Sequence, residues 1–268
     1  MKIHSYSILM LTVLTVCTSC EKELDFDYHS EPPKLVIEGH LDQYGAKVSI
    51  TSTTPMTEPM DTTRLTDASV TVLDITTGQS RTLAADSNGL FTDTTPGIIG
   101  HDYRLCVKRH SKVYYSECRM TAPIEFVDMS FRWIKMPYDY VAVLQISLTD
   151  TPDEKNHYWV RLLRNGKPYQ WMFLSDTALD GQTVSGITMT SRMDTDEEDD
   201  KNVLVDGDRV TAIVTPVTEK MVDYLSALSN DSNGPAMFSG DYCLGYFMAA
   251  PVAEMSVIFH PDQIKTEE

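Results

Sequence analysis

The sequence predicts an all-β (mainly β) protein: two β-sandwich-like domains, the second holding one short helix. Three observations predict it. Short stretches alternate apolar with polar residues throughout the chain, the period of a half-buried strand. Turn dipeptides such as Asn88-Gly89, Asn165-Gly166 and Asp206-Gly207 separate them and supply the positive φ that tight hairpins need. Residues 218–229 alone place apolar side chains at helical spacing.

The first domain is expected over 34–122. KLVIEGHL (34–41) sets Leu35, Ile37 and Leu41 on alternate positions, and 46–51 does the same with Val48 and Ile50. Both read as strands. Residues 53–66 are rich in Thr, Pro and Met without a period and read as a long loop. ASVTVLD (68–74) pairs with 79–84, Ser87-Asn88-Gly89 turns the chain, and Leu90 and Phe91 resume the sheet. A Pro/Gly turn at 94–100 leads into a hairpin of HDYRLCVK (101–108) and VYYSECRM (113–120). Ala122-Pro123 ends the domain.

The second domain is expected over 123–268. In IEFVDMSFRWI (124–134), Ile124 and Phe126 stand on even positions while Met129, Phe131 and Trp133 stand on odd ones. A bulge near Val127 and Asp128 reconciles the two. YVAVLQISLT (140–149) is a strand, and HYWVRLLR (157–164) joins PYQWMFL (168–174) through Asn165-Gly166. Residues 177–186 read as loop and DTDEEDD (194–200) as a solvated acidic loop. Residues 202–205 and 209–214 flank Asp206-Gly207 as a further hairpin. In the helix, Met221, Val222, Leu225 and Leu228 share a face, Thr218 caps it, and Glu219 meets the dipole. YCLGYFMAA (242–250) and AEMSVIFH (253–260) close the chain as sheet, and 263–268 reads as a frayed end.

Residues 1–19 read as a lipoprotein signal peptide. Lys2 precedes an apolar and threonine run over 8–16, far shorter than the ~20 residues of a spanning helix. Small Thr18 and Ser19 then lead to Cys20, so cleavage is expected between Ser19 and Cys20, and lipidation at Cys20. Two or three acyl chains of the palmitate type would anchor the protein, each buried methylene adding about 0.8 kcal/mol. This stretch resembles a lipobox, with Cys17 where Leu is usual. The tether 20–33 follows, and its Glu21, Glu23 and Asp25 resemble the export signal of Bacteroidetes surface lipoproteins.

The formal net charge is -17. Such a surface repels phosphate backbones, so nucleic acid is not an expected partner. Anionic headgroups would repel it too, leaving contact with the membrane to the lipid anchor. Beyond Cys17 and Cys20 the cysteines are Cys106, Cys118 and Cys243. Alternation turns Cys106 outward beside Arg104 and Lys108 and Cys118 inward. Directly opposed residues share a face, so free thiols are expected.

No motif for catalysis, metal or cofactor binding is found. GxSxG, HExxH and GxGxxG are missing. His29, His40, His101, His110, His157 and His260 stand far apart. The acidic run alternates Asp194, Asp196 and Glu198 as calcium ligands might, but Asp199 and Val205 stand where an EF-hand loop needs its glycine and distal glutamate. Tyr138, Tyr140, Trp159, Tyr169 and Trp171 cluster around two hairpins. Exposed rings would bind sugars or peptides, while core packing is the stronger reading. Trp159 and Trp171 flank Asn165-Gly166 almost equally and are expected as cross-strand neighbours.

LVIEGHL, DASVTVLD, SNGLF, HDYRLCV and LGYFMAA together resemble the Bacteroidetes lipoproteins grouped as domain of unknown function 4249, over nearly the whole chain after Cys20. Its marks here are Glu38-Gly39 and Gly245-Tyr246-Phe247. The resemblance implies an outer-membrane lipoprotein, often associated with TonB-dependent uptake, whose N-terminal domain is immunoglobulin-like or carboxypeptidase-regulatory-like. It brings no catalytic residue. The expected function is a surface-exposed, non-enzymatic binding or accessory module, its partner an outer-membrane transporter or a surface glycan or peptide ligand. An adhesin or structural surface protein is the alternative, and a hydrolase with a loop-built site is the third reading.

Overall fold

A computed structural model describes residues 32–55, 58–59, 63–138, 140–149, 156–175, 185–191, 203–232 and 234–266. Pro33–Glu268 forms one compact unit. In chain order its strands are β1 (Leu35–Asp42), β2 (Gly45–Ser52), β3 (Ser69–Asp74), β4 (Gln79–Ala85), β5 (Phe91–Asp93), β6 (Asp102–Arg109) and β7 (Lys112–Arg119). There follow β8 (Phe126–Lys135), β9 (Tyr140–Leu148), β10 (His157–Arg164), β11 (Lys167–Ser175), β12 (Ser185–Ser191) and β13 (Arg209–Pro216). Helix α1 (Glu219–Ser229) precedes β14 (Ser239–Gly240), β15 (Leu244–Ala249), β16 (Ala253–Ile258) and β17 (Lys265–Thr266). The fold is mainly β with one α-helix among the described residues, as the alternation predicts.

The first nine-stranded sheet runs β14-β7-β6-β3-β4-β5-β2-β1-β15. It curls on itself, and alternate residues point into one core: Ile37, Leu41, Val48, Ile50, Val70, Val72, Leu105 and Val107 are fully buried. The strand pattern dictates this, since a period of two puts every second side chain on the inner face. Gly45 closes the turn between β1 and β2 at φ 131°, where a Cβ would stand 2.0 Å from the Asp93 carbonyl oxygen. That position tolerates only glycine.

Two four-stranded sheets, β11-β10-β13-β16 and β12-β9-β8-β17, form the second sandwich. Phe131, Trp133, Leu144 and Ile146 from one meet Val160, Leu162, Val210 and Val214 from the other. Phe259 lies between them fully buried, its ring 5.1 Å edge-on from Phe131 and 6.4 Å from Trp133. The bulge forms where parity demands it, between Phe126 and Asp128. The expected boundary at 122/123 separates β1–β7 from β8–β13, but β14 and β15 return to the first sheet. There β15 runs parallel to β1, pairing Glu38 with Tyr246 and Gly39 with Phe247.

Helix α1 starts as predicted. The Thr218 side chain accepts from the Met221 N–H, and Glu219 sits in the first turn. Its buried Met221 and Leu225 pack on Tyr246 and Met248 of β15, with Trp159 and Phe173 beside them. The helix thus fills the angle between the two sandwiches.

Several local expectations are corrected. Residues 203–205 form no strand, so the hairpin at Asp206-Gly207 does not exist; β13 pairs instead with β10 and β16. The Asp208 carboxylate holds that turn by accepting the Val205 N–H at 2.9 Å. Residues 185–191, partly read as loop, form β12 against β9. Lys265 and Thr266 are not frayed but pair with Arg132 and Trp133. Trp159 lies opposite Phe173, and Trp171 opposite Arg161. Counted from the Arg164–Lys167 pair, Trp159 would stand opposite Met172; a register shift beyond Leu162, where Tyr169 is the extra residue, moves it to Phe173, two places from Trp171. Nor are the clustered rings all core, since Tyr138 is 97% exposed and Trp171 40%. Cys106 faces Tyr115 and Cys118 faces Tyr103. The alternation therefore holds, and these two thiols lie on opposite faces of the sheet.

Candidate functional site

The outward face of β1 and β15 meets the outward face of β10 and β13, and polar and aromatic residues gather in the seam. Alternation explains why. On β1, Ile37, Gly39 and Leu41 point inward, which leaves Glu38 and His40 outward. On β10, Tyr158, Val160 and Leu162 are core, which leaves Trp159 and Arg161 for the seam. Tyr246 of β15 faces the same way because its neighbours Gly245 and Phe247 contact the first sandwich.

The group is closely stacked. His40 Nε2 and the Tyr246 hydroxyl share a hydrogen bond of 2.8 Å. The His40 ring lies 6.1 Å from Trp159, nearly parallel, and Tyr246 stands edge-on to Trp159 at 5.7 Å. Tyr224 of α1 adds a fourth ring 5.7 Å from Tyr246. The Arg161 guanidinium carbon lies 4.7 Å from the Trp159 ring centre, a cation–π arrangement. Arg161 Nη2 donates to Thr215 Oγ1 at 3.3 Å. Two donors in the seam are buried without a partner, Trp159 Nε1 and Arg161 Nε.

Burial and neighbouring charges shift the titration of these groups. Burial, then Arg161 and Lys47, pull the His40 pKa down to about 3, so its ring is neutral near pH 7. Burial, then the Glu38 charge, pushes the Tyr246 phenol well above its ordinary value, and the same two causes raise Tyr224. Burial raises the Glu38 carboxyl despite the opposing pull of Arg64. Burial lowers Arg161, while Tyr246 and Asp42 work the other way. His40 is therefore a neutral hydrogen-bonding ring beside the Arg161 cation. The arrangement offers stacking faces and hydrogen-bonding groups to a partner. Burial also pushes Cys118 well up and Cys243 up to about 12, far from thiolates.

The sites expected from the sequence lie elsewhere. Ser19, Cys20, Glu21, Glu23 and Asp25, together with the acidic run 194–200, are outside the described residues. Four of the scattered histidines have local partners: His101 Nδ1 lies 2.9 Å from Asp74, His110 Nε2 3.4 Å from Asp67, His157 Nδ1 2.8 Å from Ser175 and His260 Nδ1 2.8 Å from Asp206. Among the described residues no group of His, Cys, Asp and Glu could hold a metal ion, and no helix is long and apolar enough to cross a membrane. His40, Arg161, Tyr224 and Tyr246 were not singled out by sequence. Their one signal is that His40 follows Glu38-Gly39 and Tyr246 sits within Gly245-Tyr246-Phe247, segments 206 residues apart that pair side by side.

The family profile of the domain of unknown function DUF4249 matches residues 21–256. The chain belongs to this family. No curated protein matches it in sequence. Among solved structures, one titled as a cytokine receptor complex is similar at 11% identity and a TM-score of 0.27, over 84% of this chain and 95% of that one; a likeness at that level carries no argument.

Proposed function

We propose that the protein is a surface-facing, lipid-anchored outer-membrane lipoprotein of the Bacteroidetes type. It acts as a non-catalytic binding or accessory module, working with a TonB-dependent uptake system. The anchoring part draws on the sequence from Leu14 to Asp25, where a short apolar leader, Thr18 and Ser19 precede Cys20 and its acidic neighbours. The binding part rests on one observation above all: the seam rings His40, Trp159 and Tyr246 stack around a desolvated guanidinium, with the His40 ring neutral. Such a surface recognises a partner without exchanging protons with it.

The experiment compares the wild type with Cys20→Ala in cells. The wild type is expected to be acylated, to partition with the outer membrane, to be cut by protease added to intact cells, and to co-purify with a transporter in mild detergent. Membrane retention and acylation of Cys20→Ala would sink the anchoring claim. Resistance to external protease would turn the domains inward. Purification without any transporter, at equal expression, would remove the accessory role.

A further inference from the structure

We propose that Arg161 takes a carboxylate-bearing ligand at the seam between the two sandwiches, its body resting on Trp171. This rests on the binding-module reading above and names the ligand chemistry for it.

A guanidinium withdrawn from water is normally matched by a carboxylate or phosphate in fork geometry, because a desolvated cation without a counter-charge costs several kcal/mol. Arg161 has no such match within the described chain. Its one hydrogen bond goes to the neutral Thr215 hydroxyl at a long 3.3 Å, its Nε has no acceptor, and it forms no ion pair. The acidic groups nearest in charge are already committed or poorly placed. Asp42 accepts the N–H groups of Tyr44 and Gly45 at 2.7 and 3.1 Å. The Glu38 charge is felt by Tyr224 and Tyr246, and Arg64 opposes it. Lys47, whose charge reaches His40 together with that of Arg161, adds a second positive group to the same side of the seam.

The surroundings narrow the ligand further. Trp171 stands directly across the ladder from Arg161, so both side chains share one face of the sheet. Trp171 is 40% exposed and Arg161 half-buried, so an indole face stands beside the guanidinium on that side of the sheet. A carboxylate on the guanidinium would set its body against the ring. A charge with a flat or apolar body fits, such as a uronic acid or a free peptide C-terminus. The net charge of -17 weighs against polyanions, which the whole surface would repel, and favours a single carboxylate.

The test follows the three indole N–H resonances by NMR in the full chain carrying Cys20→Ala, each assigned by a Trp→Phe variant. Glucuronate is titrated against glucose, and acetyl-dialanine against its C-terminal amide. The carboxylate probes should shift the Trp159 and Trp171 signals saturably and at least tenfold more tightly than their neutral partners, in keeping with charge-assisted pairing. Trp133, whose indole donates to the Pro261 carbonyl, should not move. Arg161→Gln should abolish the shifts, and Arg161→Lys, which keeps the charge but loses the fork, should weaken them. Whichever acid shifts the signals identifies the source of the carboxylate.

Equal response to the neutral partners would overturn the carboxylate assignment while leaving a binding seam in place. Absence of any shift with both acids, or full affinity in Arg161→Gln, would overturn it outright. The wild-type contrast decides the matter even if an Arg161 variant fails to fold. The binding-module reading stands or falls separately, on anchoring and co-purification.

Discussion

The two sandwiches are closed in different ways. The second is built from β8–β13 and then, after β14 and β15 have gone to the first sheet, from β16 and the short β17, which pairs with β8 by two residues; Phe259 seals it from inside. The first is built from seven strands in sequence and then waits for two more from far away: β14 pairs with β7, and β15 covers β1 and contributes Phe247 and Ala249 to the core. Antiparallel hairpins close locally, while a parallel pair needs a long crossover. Here the chain between the two partners includes β2–β7, β8–β13, the helix and β14. The lesson is that the first sandwich is not an independent module, even though most of its sequence is contiguous.

The largest effect should come from cutting that dependence. A fragment of residues 33–122 lacks β15 and leaves β1 as an uncovered edge with part of its core missing. It should show no cooperative thermal transition by circular dichroism, and a synthetic 242–252 peptide should restore one. A fragment that melts cooperatively alone would break the contrast. Next, Phe259→Ala removes a fully buried ring from the second core and should cost about 3–5 kcal/mol in urea unfolding. A smaller loss would mean that the second sandwich is less self-sufficient than its packing indicates.

The seam joining the two should respond to acid. The folded pKa of His40 is about 3 against an ordinary 6.5. Between those values the unfolded chain takes up a proton that the folded chain refuses. The stability contribution is therefore intact above pH 6.5 and falls as the pH drops, by on the order of 3 kcal/mol down to about pH 4. His40→Gln should flatten that part of the pH–stability curve, measured by chemical denaturation. The depressed carboxyls of Asp74 and Asp208 act in the same direction in both proteins, so the difference isolates His40; equal slopes would refute it. The smallest effect belongs to the wedge. Thr218→Ala deletes the cap of α1 and should cost about 1 kcal/mol, with urea unfolding as the readout.

Much of the fold was legible because burial is periodic. Alternation gave β1–β11 nearly to the residue, parity placed the bulge beside Val127, and Thr218 with Glu219 marked the helix start. The errors share a cause: each turns on partners remote in sequence. Asp206-Gly207 carries a hairpin signal, but Val203 and Leu204 are buried without entering a ladder. Near-equal distances of Trp159 and Trp171 from Asn165-Gly166 conceal a one-place offset, and the register shift at Tyr169 adds another, so the two are not paired. The candidate site was hidden for the same reason. Glu38-Gly39 and Gly245-Tyr246-Phe247 each read as an isolated mark, and nothing in one stretch says that the other lies beside it. The constraint becomes visible at Gly245, at φ 100°, where a Cβ would stand 2.0 Å from the Ile37 carbonyl oxygen.

The late arrival of β15 also sets a timetable. A chain made from its N-terminus presents β1 long before its partner exists, since His40 and Tyr246 are separated by 206 residues. Until almost the whole chain has emerged, one ladder edge stays open to any stray strand. Closing so distant a contact is slow. Completion of the first sandwich is thus a post-translational event, and a chain stalled before residue 244 is an aggregation hazard that a holding chaperone would have to shield.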